Sequence, residues 1–369
     1  MMSARFLTVV LERAFNMRDG FGREIDYMRI SVIDSCNLNC YYCNPCDNNE
    51  HCHALNILSV KEVLCIVRAA TRLGIKHFRL TGGEPLLHPQ LDEMVLQIKK
   101  ISGVSSVSLT TNAVLLAQHA KWLKEAGIDS INVSLDTIDA SEYERITKKP
   151  LLEEVKHGIN AAIECGIRVK INVVLTPQTD VVALTRYVAK KGTDIRFIEM
   201  MPVGEGHTNG VEPYKKVIGT LSKLYGEPCR INTEKTKEIN SGNDKRKIPD
   251  NGPAEYYIFP ELGIRVGLIQ AIHGKFCDTC NRIRVTADGR LMPCLGSSVT
   301  MDLVPDSWDF ADDVEKDFAI VRALRAAIKA KPRCHNFNDN AVTYTKTTET
   351  KTTEIEAAEV NAARNMSRI

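Results

Sequence analysis

From about residue 27 to residue 201, short β-branched or apolar runs alternate with longer amphipathic ones. That alternation predicts repeated βα units around a parallel sheet. The strands fall on "YMRISVI" (27–33), "HFRL" (77–80), "VSSVSLT" (104–110), "SINVSL" (130–135), "RVKINVVL" (168–175) and "DIRFIEM" (194–200). Helices fill the gaps, roughly 59–73, 89–101, 114–126, 152–165 and 180–191, with Gly74, Gly127 and Gly166 as C-terminal stops. Polar and glycine motifs fall where the strands stop: Asp34 to Cys43, "TGGEP" (81–85), "TTN" (110–112), "SLDT" (134–137) and "EMMP" (199–202). In a β/α barrel these are the strand ends at which active sites are built. Six units rather than eight predict an α/β chain whose incomplete (β/α)6 TIM-like barrel is open on one side. A smaller C-terminal α+β region is expected to cover the opening.

Beyond Met201 the composition shifts. "TEKTKEINSGNDKRKIPDNG" (233–252) reads as a polar connecting segment, and "AEYYIFPELGIRVGLIQAI" as a hairpin turning near Pro260 to Gly263. It leads into "HGKFCDTCNRIRVTADGRLMPCL" (273–295), and "AIVRALRAAIKAKP" follows as a helix. The expected domains are a barrel over 20–232, a C-terminal region over 233–337 and a mobile Thr/Glu-rich tail over 338–369.

Composition narrows the function classes. A hydrophobic fraction of 44% over 369 residues is enough for a sizeable core. The 48 Lys and Arg against 46 Asp and Glu leave a net charge of +2, so no global field draws the chain to nucleic acid or anionic membrane. The N-terminal apolar run is cut short by Glu12 and Arg13, and no stretch approaches membrane length. A cytoplasmic setting is expected, in which the 12 cysteines stay reduced and clustered ones serve as metal ligands.

The cysteines are unevenly placed: five lie between Cys36 and Cys52, three between Cys277 and Cys294, and Cys65, Cys165, Cys229 and Cys334 stand apart. Cys36, Cys40 and Cys43 form a C-x3-C-x2-C group. A [4Fe-4S] cube has four irons, so three thiolates leave one iron open to a small ligand. Cys40, Cys43 and Cys46 also match part of a ferredoxin run, and zinc with help from Cys46, Cys52, His51 or His53 is a further reading. Three such cysteines after the first barrel strand, with an aromatic before the third and "TGGEP" about forty residues on, resemble the radical S-adenosylmethionine superfamily. The resemblance implies that the open iron chelates the methionine moiety, and that one electron cleaves the sulfonium to a 5′-deoxyadenosyl radical. It implies S-adenosylmethionine contacts from Tyr42, Gly83, Ser134 and Met201.

Cys277, Cys280 and Cys294 supply three more thiols; a zinc ribbon would need His273 or Cys229 as its fourth ligand. The segment instead resembles the GTP 3′,8-cyclase family of molybdenum cofactor biosynthesis, whose C-terminal region carries a second [4Fe-4S] cluster. The likeness runs from about Phe21 to Phe337 and rests on "FGREIDYMRISVIDSCN", "FRLTGGEPLL", "LTTNAVLL", "INVSLDT", "RFIEMMPVGEG", "AKPRCHNF" and, most of all, "FCDTCNRIR". It implies an α/β radical enzyme that abstracts hydrogen from ribose C3′ of GTP, joins C3′ to guanine C8 and yields 3′,8-cyclo-7,8-dihydro-GTP. Two alternatives from other classes are a peptide maturase of the same superfamily and an iron-sulfur electron carrier.

GTP is a polyanion, so it requires guanidinium or ammonium groups aimed into a partly dry cavity. The resemblance places substrate contacts at Arg29, Arg79, Thr110, Lys170, Arg196, Arg282, Ile283 and Arg284, with Arg29, Arg282 and Arg284 as catalytic candidates. It further implies a flavodoxin- or ferredoxin-like reductant, a downstream enzyme that forms the cyclic pyranopterin, and no nucleic acid or membrane partner; a homodimer is compatible with it. Departures lower the local positive charge: His77 stands where the family often has lysine, Asn39 where arginine is usual, and "HPQ" (88–90) replaces a more basic segment. The family pattern closes with a glycine pair that does not follow "RNMSRI": either the sequence is two residues short or the tail function is lost, and appending Gly-Gly is expected to raise turnover.

Overall fold

The computed structural model of the chain describes residues 17–43, 56–203, 211–231, 252–297, 299–303, 313–335 and 337. Cys46, Cys52, nearly all of the polar connecting segment and the tail from 338 lie outside the described residues. The six expected strands form at β1 (Tyr27–Ser31), β2 (His77–Thr81), β3 (Ser106–Thr111), β4 (Ser130–Ser134), β5 (Val169–Val174) and β6 (Asp194–Ile198). The helices between them are α1 (Val60–Arg72), α2 (Leu91–Lys99), α3 (Leu116–Glu125), α4 (Ala140–Thr147), α5 (Leu152–Glu164) and α6 (Val181–Lys190). A reciprocal cap starts α1: the Ser59 hydroxyl accepts from the Glu62 amide, and the Glu62 carboxylate accepts from the Ser59 amide at 2.7 Å.

Helix α4 was not expected. It is short and polar, so it carries too little apolar period to read, but Asp139 caps it by accepting from the Glu142 amide at 2.8 Å.

Beyond α6 come α7 (Gly219–Tyr225), β7 (Cys229–Ile231), β8 (Glu255–Ile258), β9 (Arg265–Ile269), β10 (Arg282–Val285), β11 (Arg290–Met292), β12 (Met301–Asp302) and α8 (Asp313–Lys329). The 12-stranded sheet runs β12-β11-β10-β1-β2-β3-β4-β5-β6-β9-β8-β7. The C-terminal α+β region meets the open side from both edges: β10 pairs in parallel with β1, and β9 in parallel with β6. The expected hairpin is β8–β9. Helix α8 returns to pack on α1, with Arg72 and Asp317 paired at 2.8 Å, and this carries Lys331, His335 and Phe337 back to the barrel.

The sheet has two unlike faces. Met28, Ile30, Phe78, Leu80, Val107, Leu109, Ile131, Val133, Ile171, Val173, Ile195 and Phe197 are buried in the core. The alternate residues Arg29, Arg79, Thr110, Asn132, Asn172 and Arg196, one from each of β1 to β6, line a cavity of about 180 Å³. A closed barrel fills this space with branched apolar side chains. Here the interior is polar, and it stays open as a site.

Candidate active site

Four arginines meet in the cavity: Arg29, Arg79, Arg282 and Arg284. The parallel pairing of β10, β1 and β2 sets Arg284, Arg29 and Arg79 side by side. No carboxylate lines the cavity among the described residues. Arg29 Nε is buried without a hydrogen-bond partner. Burial, with the positive charges of Arg284 and Arg79, brings the Arg29 guanidinium down to about 9. An incoming anion would stabilise such a group. Arg196 joins the wall from β6, and its Nε donates to Asn172 Oδ1 at 3.0 Å.

The second cysteine group forms through a hairpin. β10 and β11 are antiparallel with Arg284 opposite Met292, so continuing the register by two residues sets Cys294 opposite Arg282. Cys277 and Cys280 bracket the turn that enters β10. Lys331 closes the arrangement by donating to the carbonyls of Arg282 and Pro293, each at 2.8 Å. Arg282 donates to Cys280 Sγ at 3.5 Å and lies over the Phe276 ring. Burial alone would push the Cys280 thiol up, but the charges of Arg282 and Lys331 outweigh it and bring the thiol down to about 7. Arg23 ties the same corner together, donating to the carbonyls of Cys277, Pro332 and Arg333.

The first cysteine loop leaves the opposite end of β1. The Asn39 and Tyr41 amides donate to the carbonyls of Thr147 and Ile146, so α4 is the prop of this loop. The "TGGEP" loop lies against its entry: the Gly83 amide donates to Ile33 O and the Glu84 amide to Ser35 O, both at 2.7 Å. A Cβ on Gly83 would stand 2.2 Å from Ser35 O and one on Gly82 2.2 Å from Ile33 O, so this close backbone approach requires both glycines. The Glu84 carboxylate accepts from Leu86 N, Thr111 Oγ1 and Asn112 N, joining this loop to β3. Burial raises the Cys36, Cys40 and Cys43 thiols, Cys40 to about 12, and Asp136 adds to the rise of Cys40 and Cys43.

The sequence matches the Radical SAM superfamily over residues 30–183 and Molybdenum Cofactor Synthesis C over 193–337. It is 35% identical over 324 residues to the GTP 3′,8-cyclase of Clostridium perfringens (strain SM101 / Type A), covering 87% of this chain and 95% of that one. The chain belongs to the GTP 3′,8-cyclase family. The relative from Listeria monocytogenes is also 35% identical, over 323 residues, 86% of this chain and 92% of that one. Among solved structures, Streptococcus suis SuiB bound to S-adenosylmethionine has a TM-score of 0.56 at 14% identity, covering 86% of this chain and 71% of that one. At that identity the likeness is one of fold.

Each thiol triad of this family member is a set of mutual neighbours: charge on one affects the others within Cys36, Cys40 and Cys43, and within Cys277, Cys280 and Cys294. None of the described cysteines is in a disulfide. Among the described residues no group of three His, Cys, Asp or Glu stands close enough to hold a single metal ion. A [4Fe-4S] cube carries its own sulfides and takes one thiolate at each of three corners, so the donor sets suit it without converging.

Of the expected site residues, Arg29, Arg79, Thr110, Arg196, Arg282, Arg284, Met201 and the second cysteine triad line one cavity. Ser134 is exposed at the end of β4, and Tyr42 and Gly83 belong to the first cysteine loop and its neighbour. Two expected residues have side chains away from that wall. The Ile283 side chain points into the core, because alternation along β10 sends only Arg282 and Arg284 to the cavity. Lys170 does not line the cavity; it lies buried beside the Tyr256 ring, where Asp194 and Arg265 pair. The departures are absorbed structurally: His77 bonds Ser106 Oγ, and His88 donates to Leu58 O. The residues missed by sequence reasoning are Tyr27, Asn132, Asn172, Lys331 and His335, all on the cavity wall. Tyr27 sits two positions before Arg29 on β1, and Asn132 and Asn172 lie opposite Thr110 and Arg196 in the sheet register.

Proposed function

We propose that this chain converts GTP to 3′,8-cyclo-7,8-dihydro-GTP in molybdenum cofactor biosynthesis, as a radical S-adenosylmethionine lyase. The observation that carries the reading is the half-buried cluster of Arg29, Arg79 and Arg282 on a cavity wall that also holds the second thiol triad, with no carboxylate among the described residues that line it. Cys36, Cys40 and Cys43 would hold one [4Fe-4S] cluster and Cys277, Cys280 and Cys294 a second, each with an open iron. When bound, the first cluster and S-adenosylmethionine supply the electron and the radical that take a ribose hydrogen.

The protein's own part is placement. Arg29, Arg79 and Arg284 attract the triphosphate into a site of low dielectric, where each charge-assisted hydrogen bond is stronger than in water. Arg282, stacked on Phe276 and touching Cys280, is suited to hold the base end beside the second triad. Thr110, Asn132 and Asn172 supply neutral donors and acceptors between the ends. The apolar helix-facing side of the sheet keeps the strands rigid, so the ribose and the attacking group meet in a fixed orientation. Met201, at the barrel mouth, suits the S-adenosylmethionine end.

A cytosolic, flavodoxin- or ferredoxin-like reductant fits the demand for single electrons, and no described helix is long and apolar enough to cross a membrane. A pyranopterin-forming enzyme would take the product. Anaerobic reconstitution with iron and sulfide, followed by S-adenosylmethionine and dithionite with or without GTP, tests the reading. GTP-dependent release of 5′-deoxyadenosine with the cyclised nucleotide is expected; 5′-deoxyadenosine with GTP left intact would mean another substrate.

A further inference from the structure

Tyr27 heads β1, two residues before Arg29 on the cavity face, and is 8% exposed. Its hydroxyl accepts from Arg79 Nε on β2. The same guanidinium donates from Nη1 to Thr110 Oγ1 on β3 at 3.5 Å, and its carbon lies 5.8 Å from the Tyr27 ring centroid. The Tyr27 ring stacks on His77 at 6.4 Å, and His77 is itself bonded to Ser106 Oγ at 2.8 Å. The phenol is therefore held from β2 by Arg79 and His77, each itself bonded to β3, and its hydroxyl is also bonded to Ser108 on β3. Arg79 is in turn held at Nε and Nη1, and among the described residues nothing bonds Nη2, which is left for a ligand.

We propose that Tyr27 is a positioning residue for the anionic substrate: it pins the Arg79 guanidinium so that the free edge faces the polyphosphate. The proposal rests on the reading of the cavity as a polyphosphate site. An unpinned arginine would have to lose its rotamer freedom at the moment of binding. Tyr27 also opposes repulsion within the cluster. Arg284, Arg79 and Arg282 repel the Arg29 charge, and Tyr27 acts in the opposite sense. Burial would push the Tyr27 phenol up, yet Arg79 and Arg29 outweigh burial and draw it down.

Tyr27→Phe keeps the ring, the stack on His77 and the cation contact, and removes only the hydroxyl. In the reconstituted enzyme the expected result is a KM for GTP raised about tenfold, with kcat within about twofold. Competitive inhibition by inorganic tripolyphosphate should weaken by the same factor, while the KM for S-adenosylmethionine and the iron content stay at the wild-type level. In an Arg79→Lys background, which has no Nε–H to pin, Tyr27→Phe should change the KM for GTP no further. An unaltered KM and tripolyphosphate inhibition, or an equal loss in the Arg79→Lys background, overturns the proposal. A wild-type enzyme indifferent to both GTP and tripolyphosphate overturns the polyphosphate reading and the Tyr27 role with it.

Discussion

The Tyr42 phenol donates to the Asp136 carboxylate, tying the loop of Cys40 and Cys43 to the end of β4. The other carboxylate oxygen accepts from the Val174 amide at 2.7 Å, so one buried acid joins the cysteine loop, β4 and β5. Burial pushes that carboxyl up to about 6. Asp136→Ala leaves a buried hydroxyl and a buried amide without partners. Urea unfolding of the iron-free protein should show a loss of about 2–4 kcal/mol. An unchanged midpoint would mean that the contact carries no load.

Arg29 predicts a trade between stability and binding. Its guanidinium is buried among like charges with Nε unpartnered, so Arg29→Met should raise the stability of the ligand-free protein by about 1–3 kcal/mol. The same change should lower kcat/KM for GTP at least about a hundredfold. A less stable variant, or one with full turnover, contradicts the assignment.

Alkaline pH should act at the same residue. The Arg29 guanidinium is brought down to about 9, so it loses its charge, and its attraction for an anion, as pH rises through that value. The KM for GTP should climb between about pH 8 and about pH 10 more steeply in the wild type than in Arg29→Met. Parallel profiles would remove Arg29 as the titrating contact.

Gly83→Ala tests the seat of the first cysteine loop. The added Cβ would meet Ser35 O at 2.2 Å and Asp34 O at 2.3 Å, both backbone atoms with no room to yield. A loss of at least about 3 kcal/mol is expected, with iron retention reduced at the first triad. Wild-type iron content and stability would show that the loop relaxes freely.

The barrel was legible because β1 to β6 carry a strong apolar stripe and the glycine motifs fall at their ends. The helix-facing residues, Met28 through Phe197, announced themselves by that stripe. The inward set was read only where a charge stood out. Arg29 and Arg79 drew notice, whereas Asn132 and Asn172 passed as ordinary polar residues although they line the same wall. Lys170 stands on the same inward face of β5 as Asn172, one layer along, where Asp194 and Arg265 pair. The role of the glycine motif was read as approach to a ligand; its backbone contacts to Ile33 and Ser35 depend on a chain about fifty residues away in sequence, which local pattern does not reveal. Helix α4 was missed for want of apolar period, yet it props the cysteine loop.

The central claim is that GTP bound in the arginine-lined cavity gives up its C3′ hydrogen. Turnover of GTP deuterated at C3′ by the reconstituted enzyme, with mass analysis of the released 5′-deoxyadenosine, tests it most directly. Deuterium in the 5′-deoxyadenosine together with a cyclised nucleotide is the predicted result. Unlabelled 5′-deoxyadenosine, formed at the same rate whether or not GTP is present, would contradict it.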